Sequence, residues 1–194
     1  MDLKTIDHSQ QALREHFSRM GQPASVEPVL LCRHPDSEPE PIGVYKSRLE
    51  PNDALSVSVV IPCRLGTRKV VDGKELILLE HCLQAISRSL SATDDRVAGG
   101  HEVQIVLVLN AEDDLAKAEE SIRRHHLGGI AICDEPGFDF ARKCNLGAQK
   151  SSGDILVFLN DDTEMQTSGW LHDVASLLEE EDVCLLYTSP SPRD

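Results

Sequence analysis

From residue 56 onward the chain alternates between short apolar runs and stretches in which apolar residues recur every three or four positions. The runs are VSVVIP (57–62), QIVLVL (104–109), IAIC (130–133) and ILVFL (155–159). Bounded by glycine, proline and acids, the last of them above all reads as a strand buried on both faces. The spaced stretches carry Leu76, Leu79, Leu83, Ile86 and Leu90; Leu115, Ala118 and Ile122; Ala141, Cys144 and Ala148; and Leu171, Val174 and Leu178. Each set is the inward stripe of an amphipathic helix. Gly128 and Gly129 are placed to close the second of these helices, Asp139 to cap the third and Ser168 the fourth. Residues 64–73 and the polar stretch to Gly100 read as loops. Strands and helices in this alternation predict an α/β fold with a doubly wound, mainly parallel sheet. Ligands of such sheets bind beyond the carboxyl ends of the strands, where the strand order reverses. The strand ends here are Pro62-Cys63-Arg64, Asn110, Asp134-Glu135 and Asn160-Asp161-Asp162.

The first 55 residues follow a different pattern. Residues 5–20 read as a helix with Ile6, Leu13 and Phe17 on one side, stopped by Gly21 and Pro23. Residues 26–32 suit a short strand, and the proline-rich, acidic stretch 33–52 reads as a linker or irregular cover. Arg33 and His34 read as surface loop, and no chemistry is assigned before Ser56. The expected organisation is therefore an N-terminal extension (1–55), a single α/β domain (56–183) and a tail (184–194).

Charge and cysteine usage narrow the function. The net charge of −14 argues against nonspecific nucleic-acid binding and against anionic membrane surfaces. No apolar run reaches transmembrane length, and the polar first 20 residues carry no secretory signal. The six cysteines form no CxxC pair and no metal-ligand spacing, as expected of reduced core residues in a cytoplasmic protein. There is no GxGxxG and no GxxxxGK[ST], which removes support from a dinucleotide site and from a P-loop.

The chemistry concentrates in SGDILVFLNDDTE (152–164). Adjacent carboxylates at a strand end repel one another unless a cation sits between them. Mg²⁺ answers that need with one or two carboxylates plus substrate phosphates; the alternative is a solvated acidic turn. Cys63 suits core packing better than nucleophilic chemistry, and His125-His126 stands at a helix end where it complements the dipole. Glu164 either orients the acidic turn or is solvated.

Four segments in order, VSVVIP, IVLVLNAEDD, GFDFARKCNLGAQKSSGD and FLNDDTE followed by Trp170-Leu171, resemble family 2 glycosyltransferases of the rhamnosyltransferase-like or O-antigen type. The resemblance covers about residues 56–183. It implies the donor-binding half of a Rossmann-like GT-A nucleotide-diphospho-sugar transferase fold, incomplete here, with the first and fourth strands as neighbours. It implies transfer of a sugar from a nucleotide-diphosphate donor, UDP- or dTDP-linked, to a saccharide or lipid-linked acceptor in cell-wall or polysaccharide biosynthesis. Such an enzyme is cytoplasmic or peripheral at the inner membrane face. By the same resemblance Pro62, Cys63 and Arg64 lie against the nucleotide base, and Asn110 lies near base or ribose. Asp139 to Asn145 border the nucleotide, and Asp161 holds ribose or the first phosphate. Asp162 is the acid of the DXD-like motif that holds Mn²⁺ or Mg²⁺.

The chain departs from the family at Leu109, where an aspartate often stands, and at Asp139, near which some members carry a base-contacting cation. Arg142 and Lys143 follow, and on a helix both are expected to point to solvent. The family's general base, which deprotonates the acceptor hydroxyl, belongs to a later part of the domain, so no catalytic base is assigned in this chain. The tail CLLYTSPSPRD (184–194) resembles an in-frame translation of a sequencing adaptor and is expected to be foreign to the gene. Two other functions stay open: a nucleotidyltransferase of similar fold, for which Leu65 to Lys69 is a faint basic loop, and a noncatalytic nucleotide- or protein-binding module.

Overall fold

The computed structural model describes residues 3–21, 24–31, 40–49, 55–71, 73–91, 102–134 and 139–178. The chain divides into two compact units, one of residues 1–52 with 172–194 and the other of residues 53–171. Glu135 and the tail 184–194 lie outside the described residues.

In the first unit, helix α1 (Leu3–Arg19) precedes the antiparallel strands β1 (Ala24–Leu31) and β2 (Glu40–Leu49). Gly21 adopts φ +77° and ends the helix. The expectation of a linker over 33–52 is corrected here, because residues 40–49 form a ten-residue strand. The ladder is irregular between Pro28 and Leu30, and Pro41 pairs opposite Leu30. A two-stranded ribbon has only edges, so proline's missing donor is tolerated where a central strand would reject it.

The second unit is built on strands β3 (Val57–Pro62), β6 (Val103–Leu109), β7 (Gly128–Cys133) and β8 (Ile155–Phe158), all parallel, in the order β7-β6-β3-β8. Between β3 and β6 come a hairpin, β4 (Arg68–Val71) and β5 (Lys74–Ile77), and helix α2 (Leu78–Ser91). Helix α3 (Leu115–Arg124) connects β6 to β7, and α4 (Phe140–Lys150) connects β7 to β8. Helix α5 (Trp170–Leu178) follows, and within this unit the Trp170 indole donates to Ser89 Oγ at 3.0 Å. The two crossovers from β3 to β7 run one way along the sheet and the third returns past β3. Right-handed connections therefore set α2 and α3 on one face and α4 on the other. The order reverses between β3 and β8, so the expected α/β architecture and the adjacency of the first and fourth strands are both present.

Close packing fixes α4. Leu146 packs with Ile130 and Ile132 against buried Val60, Val106 and Val108. A Cβ on Gly147 would stand 2.3 Å from Val60 Cγ1, so the helix approaches the sheet there only because the residue is glycine.

Several local expectations change. Strand β8 is at the sheet edge, and Leu156 and Phe158 are 40% and 50% exposed, so it is not buried on both faces. A run of apolar residues cannot by itself tell a central strand from an edge one. Residues 64–73 are not all loop: Arg68–Val71 pairs with Lys74–Ile77, and Leu76 belongs to that hairpin rather than to α2. Gly128 and Gly129 do not close α3. They open β7, and His126 takes the left-handed position (φ +58°) instead. On α4 the inward residues are Lys143 and Gly147, while Ala141 is exposed and Cys144 and Ala148 are half-buried.

Candidate nucleotide-sugar site

The ladder between β3 and β8 runs one residue past the strand, with Leu159 N–H donating to Val60 O at 3.0 Å. The chain then turns at once: Thr163 N–H donates to Asn160 O at 3.2 Å. Asn160 is the first residue of this β-turn, a favoured place for asparagine, and Asp161 and Asp162 occupy its two central positions. The turn thus presents both carboxylates beside Pro62, the buried last residue of β3. The Arg64 backbone amide lies near enough to the Asp161 carboxylate to lower its pKa, which brings the two strand ends together. Partial burial and then the neighbouring Asp162 charge raise the Asp161 pKa above the ordinary carboxylate range. Asp162 itself is exposed.

Helix α2 braces this turn. Cys82 Sγ contacts Asn160 O at 3.8 Å, and Glu164 pairs with His81 Nε2 and Arg88 Nη2, each at 3.5 Å. Glu164 is thus paired with α2 although its side chain stays 43% exposed. Burial, with the Asp161 and Asp162 charges, pushes the Cys82 thiol up to about 12. Cys63 is 1% exposed and its thiol is pushed up further by burial and by Asp161, so neither cysteine is a thiolate. The Cys63 N–H donates to Val108 O at 3.0 Å.

Asn110 ends β6 and is 6% exposed. Its N–H donates to Asp113 Oδ2 at 3.0 Å and its Nδ2 to Glu112 Oε1 at 3.4 Å, while its Oδ1 has no partner among the described residues. Asp113 also accepts from Leu65 N–H at 3.3 Å, so one carboxylate joins the loops that follow β3 and β6. Arg64 reaches toward Glu112 at 3.9 Å, with both side chains largely exposed.

Asp139 and Asn145 stand apart from that group, on α4. Asp139 is the helix N-cap, accepting from Arg142 N–H at 3.0 Å. Asn145 lines a cavity of about 350 Å³ with Cys133, Asp134, Arg142, Leu146 and Gln149, next to the C-terminal end of β7. Arg142 Nε donates to the buried Asp134 carboxylate at 2.9 Å, so its charge is engaged at the cavity.

Lys143 corrects the expectation of a solvent-facing side chain. It is 0% exposed, and its Nζ donates to Cys63 O and to Val108 O, each at 3.1 Å. Sequence reasoning missed both Lys143 and Asp113. Asp113 had a signal, an acid three residues after a strand-ending asparagine, where local carboxylate-to-backbone bonds form. Lys143 had only its i,i+4 spacing to Gly147.

Residues 77–193, more than half of the 194-residue chain, match Glycosyl transferase family 2. The chain belongs to that family. No curated protein matches it in sequence. Among solved structures this family 2 chain is similar to S. aureus TarS 1–349, at 16% identity and TM-score 0.46, with 65% of this chain and 33% of that one covered. It is also similar to a mannosyltransferase from Pyrobaculum calidifontis in complex with GDP-Man and Mn²⁺. The identity there is 16% and the TM-score 0.48, with 91% of this chain and 42% of that one covered. The chain thus spans about a third to two-fifths of the length of these structures. Among the described residues no helix is long and apolar enough to cross a membrane.

Proposed function

We propose that this family 2 chain binds the donor in a metal-dependent, inverting transfer from a nucleotide-diphosphate sugar to a saccharide or lipid-linked hydroxyl. The observation that carries the reading is the Asn160–Thr163 turn, which sets two adjacent carboxylates directly after the strand paired with β3, at the reversal of strand order. No third acid, histidine or cysteine is grouped with them to form a closed metal cage among the described residues. A carboxylate pair of this kind fits Mg²⁺ or Mn²⁺, whose remaining positions are filled by water and phosphate. When bound, the cation neutralises the charge that develops on the diphosphate leaving group.

In this reading Asp162, the more exposed acid, holds the cation. Asp161 accepts from ribose or faces the first phosphate. The unpartnered Asn110 Oδ1 accepts from base or ribose, and Arg64 lies against the nucleotide. Pro62 and buried Cys63 shape the wall on which the base rests. Asp139 and Asn145 border the nucleotide from α4. UDP and dTDP are preferred to GDP and NAD, and the protein works in the cytoplasm. This chain supplies donor binding, with the general base for the acceptor outside it.

Calorimetric titration with UDP, dTDP, GDP and NAD, with and without Mn²⁺, tests the reading. UDP or dTDP is expected to bind only weakly without Mn²⁺, and Asp162→Ala is expected to abolish the Mn²⁺-dependent part while leaving the circular dichroism spectrum unchanged. An unaltered Mn²⁺-dependent affinity in Asp162→Ala would reject Asp162 as the metal ligand.

A further inference from the structure

Lys143 is the largest fully buried side chain among the described residues. Lysine is almost never fully buried unless its charge is compensated. Its Nζ reaches Cys63 O and Val108 O, at the C-terminal ends of the two central strands. Cys63 precedes Arg64, whose backbone amide lies near the Asp161 carboxylate, and Val108 stands two residues before Asn110. The ammonium is therefore joined through short backbone links to both halves of the candidate site.

The geometry points to Lys143 as a positioning residue of the donor site, whose buried charge favours an anionic diphosphate over the bare divalent cation. The inference rests on the donor-site reading above. A chain of net charge −14 repels a nucleotide diphosphate at long range, and Asp161 and Asp162 repel it at short range. A fixed cation behind these acids opposes that repulsion, and because it is buried it is little screened by salt. The same charge opposes a second cation. Burial lowers the Lys143 pKa, while Cys63, Asp134 and Asp113 oppose that and favour its charged form, and the Lys143 charge in turn lowers the pKa of Asp161. A lysine that only filled space and satisfied two carbonyls would act differently. Its loss would loosen the ends of β3 and β6 and weaken every ligand together. A charge effect moves the two ligands in opposite directions.

The test uses the full chain, Mn²⁺ alone followed by electron paramagnetic resonance, and inorganic pyrophosphate at saturating Mn²⁺ followed by calorimetry. Lys143→Gln keeps a donor for the carbonyls and removes the charge. Lys143→Met, apolar and of similar length, repeats the test without a polar group to bury should the glutamine variant fail to fold. Pyrophosphate affinity is expected to fall about tenfold, the order exerted by one unit charge on another about 12 Å away through an effective dielectric of about 20. Affinity for Mn²⁺ alone is expected to rise. Unchanged pyrophosphate affinity overturns the proposal, as does a parallel loss of both ligands or a failure of both variants to fold. If the unsubstituted chain binds neither ligand, the donor-site reading falls with it; if it binds both and the variants behave otherwise than expected, only the role of Lys143 falls.

Discussion

Asp161 is held in a state that a folded protein without cation disfavours. Its burial and the adjacent Asp162 both raise its pKa, and the Arg64 N–H and the Lys143 charge only partly oppose them. An unfolded aspartate titrates near 3.9, so the folded chain keeps its proton to higher pH than the unfolded one does. The stability that this group contributes is therefore present below about pH 4 and is lost as pH rises through its folded pKa. Without metal, Asp162→Asn is expected to raise Tm at pH 7 by about 2 °C and by less at about pH 3, as the carboxylates take up protons and the repulsion fades. With Mn²⁺ the order should reverse, because only the unsubstituted chain gains a bound cation. Thermal melts at the two pH values check this, and a variant less stable at pH 7 without metal would contradict it. The acids themselves were legible in the sequence, since NDDT directly after an apolar run reads as a turn. The residues that hold the site from behind were not. Lys143 looks like any helix-surface lysine until the close approach at Gly147 shows which face of α4 meets the sheet.

At the scale of elements, the end of α3 shows how a helix can stop without the expected glycine. His126 N–H donates to Arg123 O at 2.9 Å and Leu127 N–H to Ile122 O at 3.2 Å, the pairing of a Schellman cap. The position between them requires left-handed backbone, and His126 adopts it at φ +58°. His125, one residue earlier, pairs through Nε2 with Glu80 Oε2 at 2.8 Å, and Glu80 also accepts from Ser121 Oγ at 2.6 Å and Arg124 Nη1 at 3.3 Å. The pair of histidines therefore does more than complement a dipole: one ties α3 to α2 and the other forms the cap. His126→Gly is expected to stabilise the chain by about 0.5–1 kcal/mol, since glycine pays no steric penalty in this conformation. Denaturant unfolding checks the value, and a destabilised variant would contradict the capping account. Strand-and-helix order was readable from residue 56 because the two hydrophobic periods differ clearly there. The hairpin β4–β5 was not, because its strands are four residues each and almost wholly exposed, so no apolar alternation marks them. The second strand of the first unit was hidden by Pro41 within it and by Pro35 and Pro39 before it, and an edge strand accepts Pro41.

For the whole molecule, the proposed ligand position follows from the reversal of strand order between β3 and β8. Four parallel strand ends open on one side of the sheet, but Asp161, Asp162 and the Arg64 N–H converge only at the reversal, with Asn110 one strand away. The net charge of −14 repels an anionic donor, so the proposed metal dependence would rest on the whole surface as well as on one turn. The central claim is the placement of the nucleotide, and amide chemical-shift mapping on the isotopically labelled chain tests it most directly. On adding UDP or dTDP with Mg²⁺, the largest changes are expected at Cys63, Arg64, Asn110 and Asp161, with smaller ones at Asp139 and Asn145 and little at residues 24–49. Changes confined to residues 24–49, or none at the ends of β3 and β8, would contradict the account.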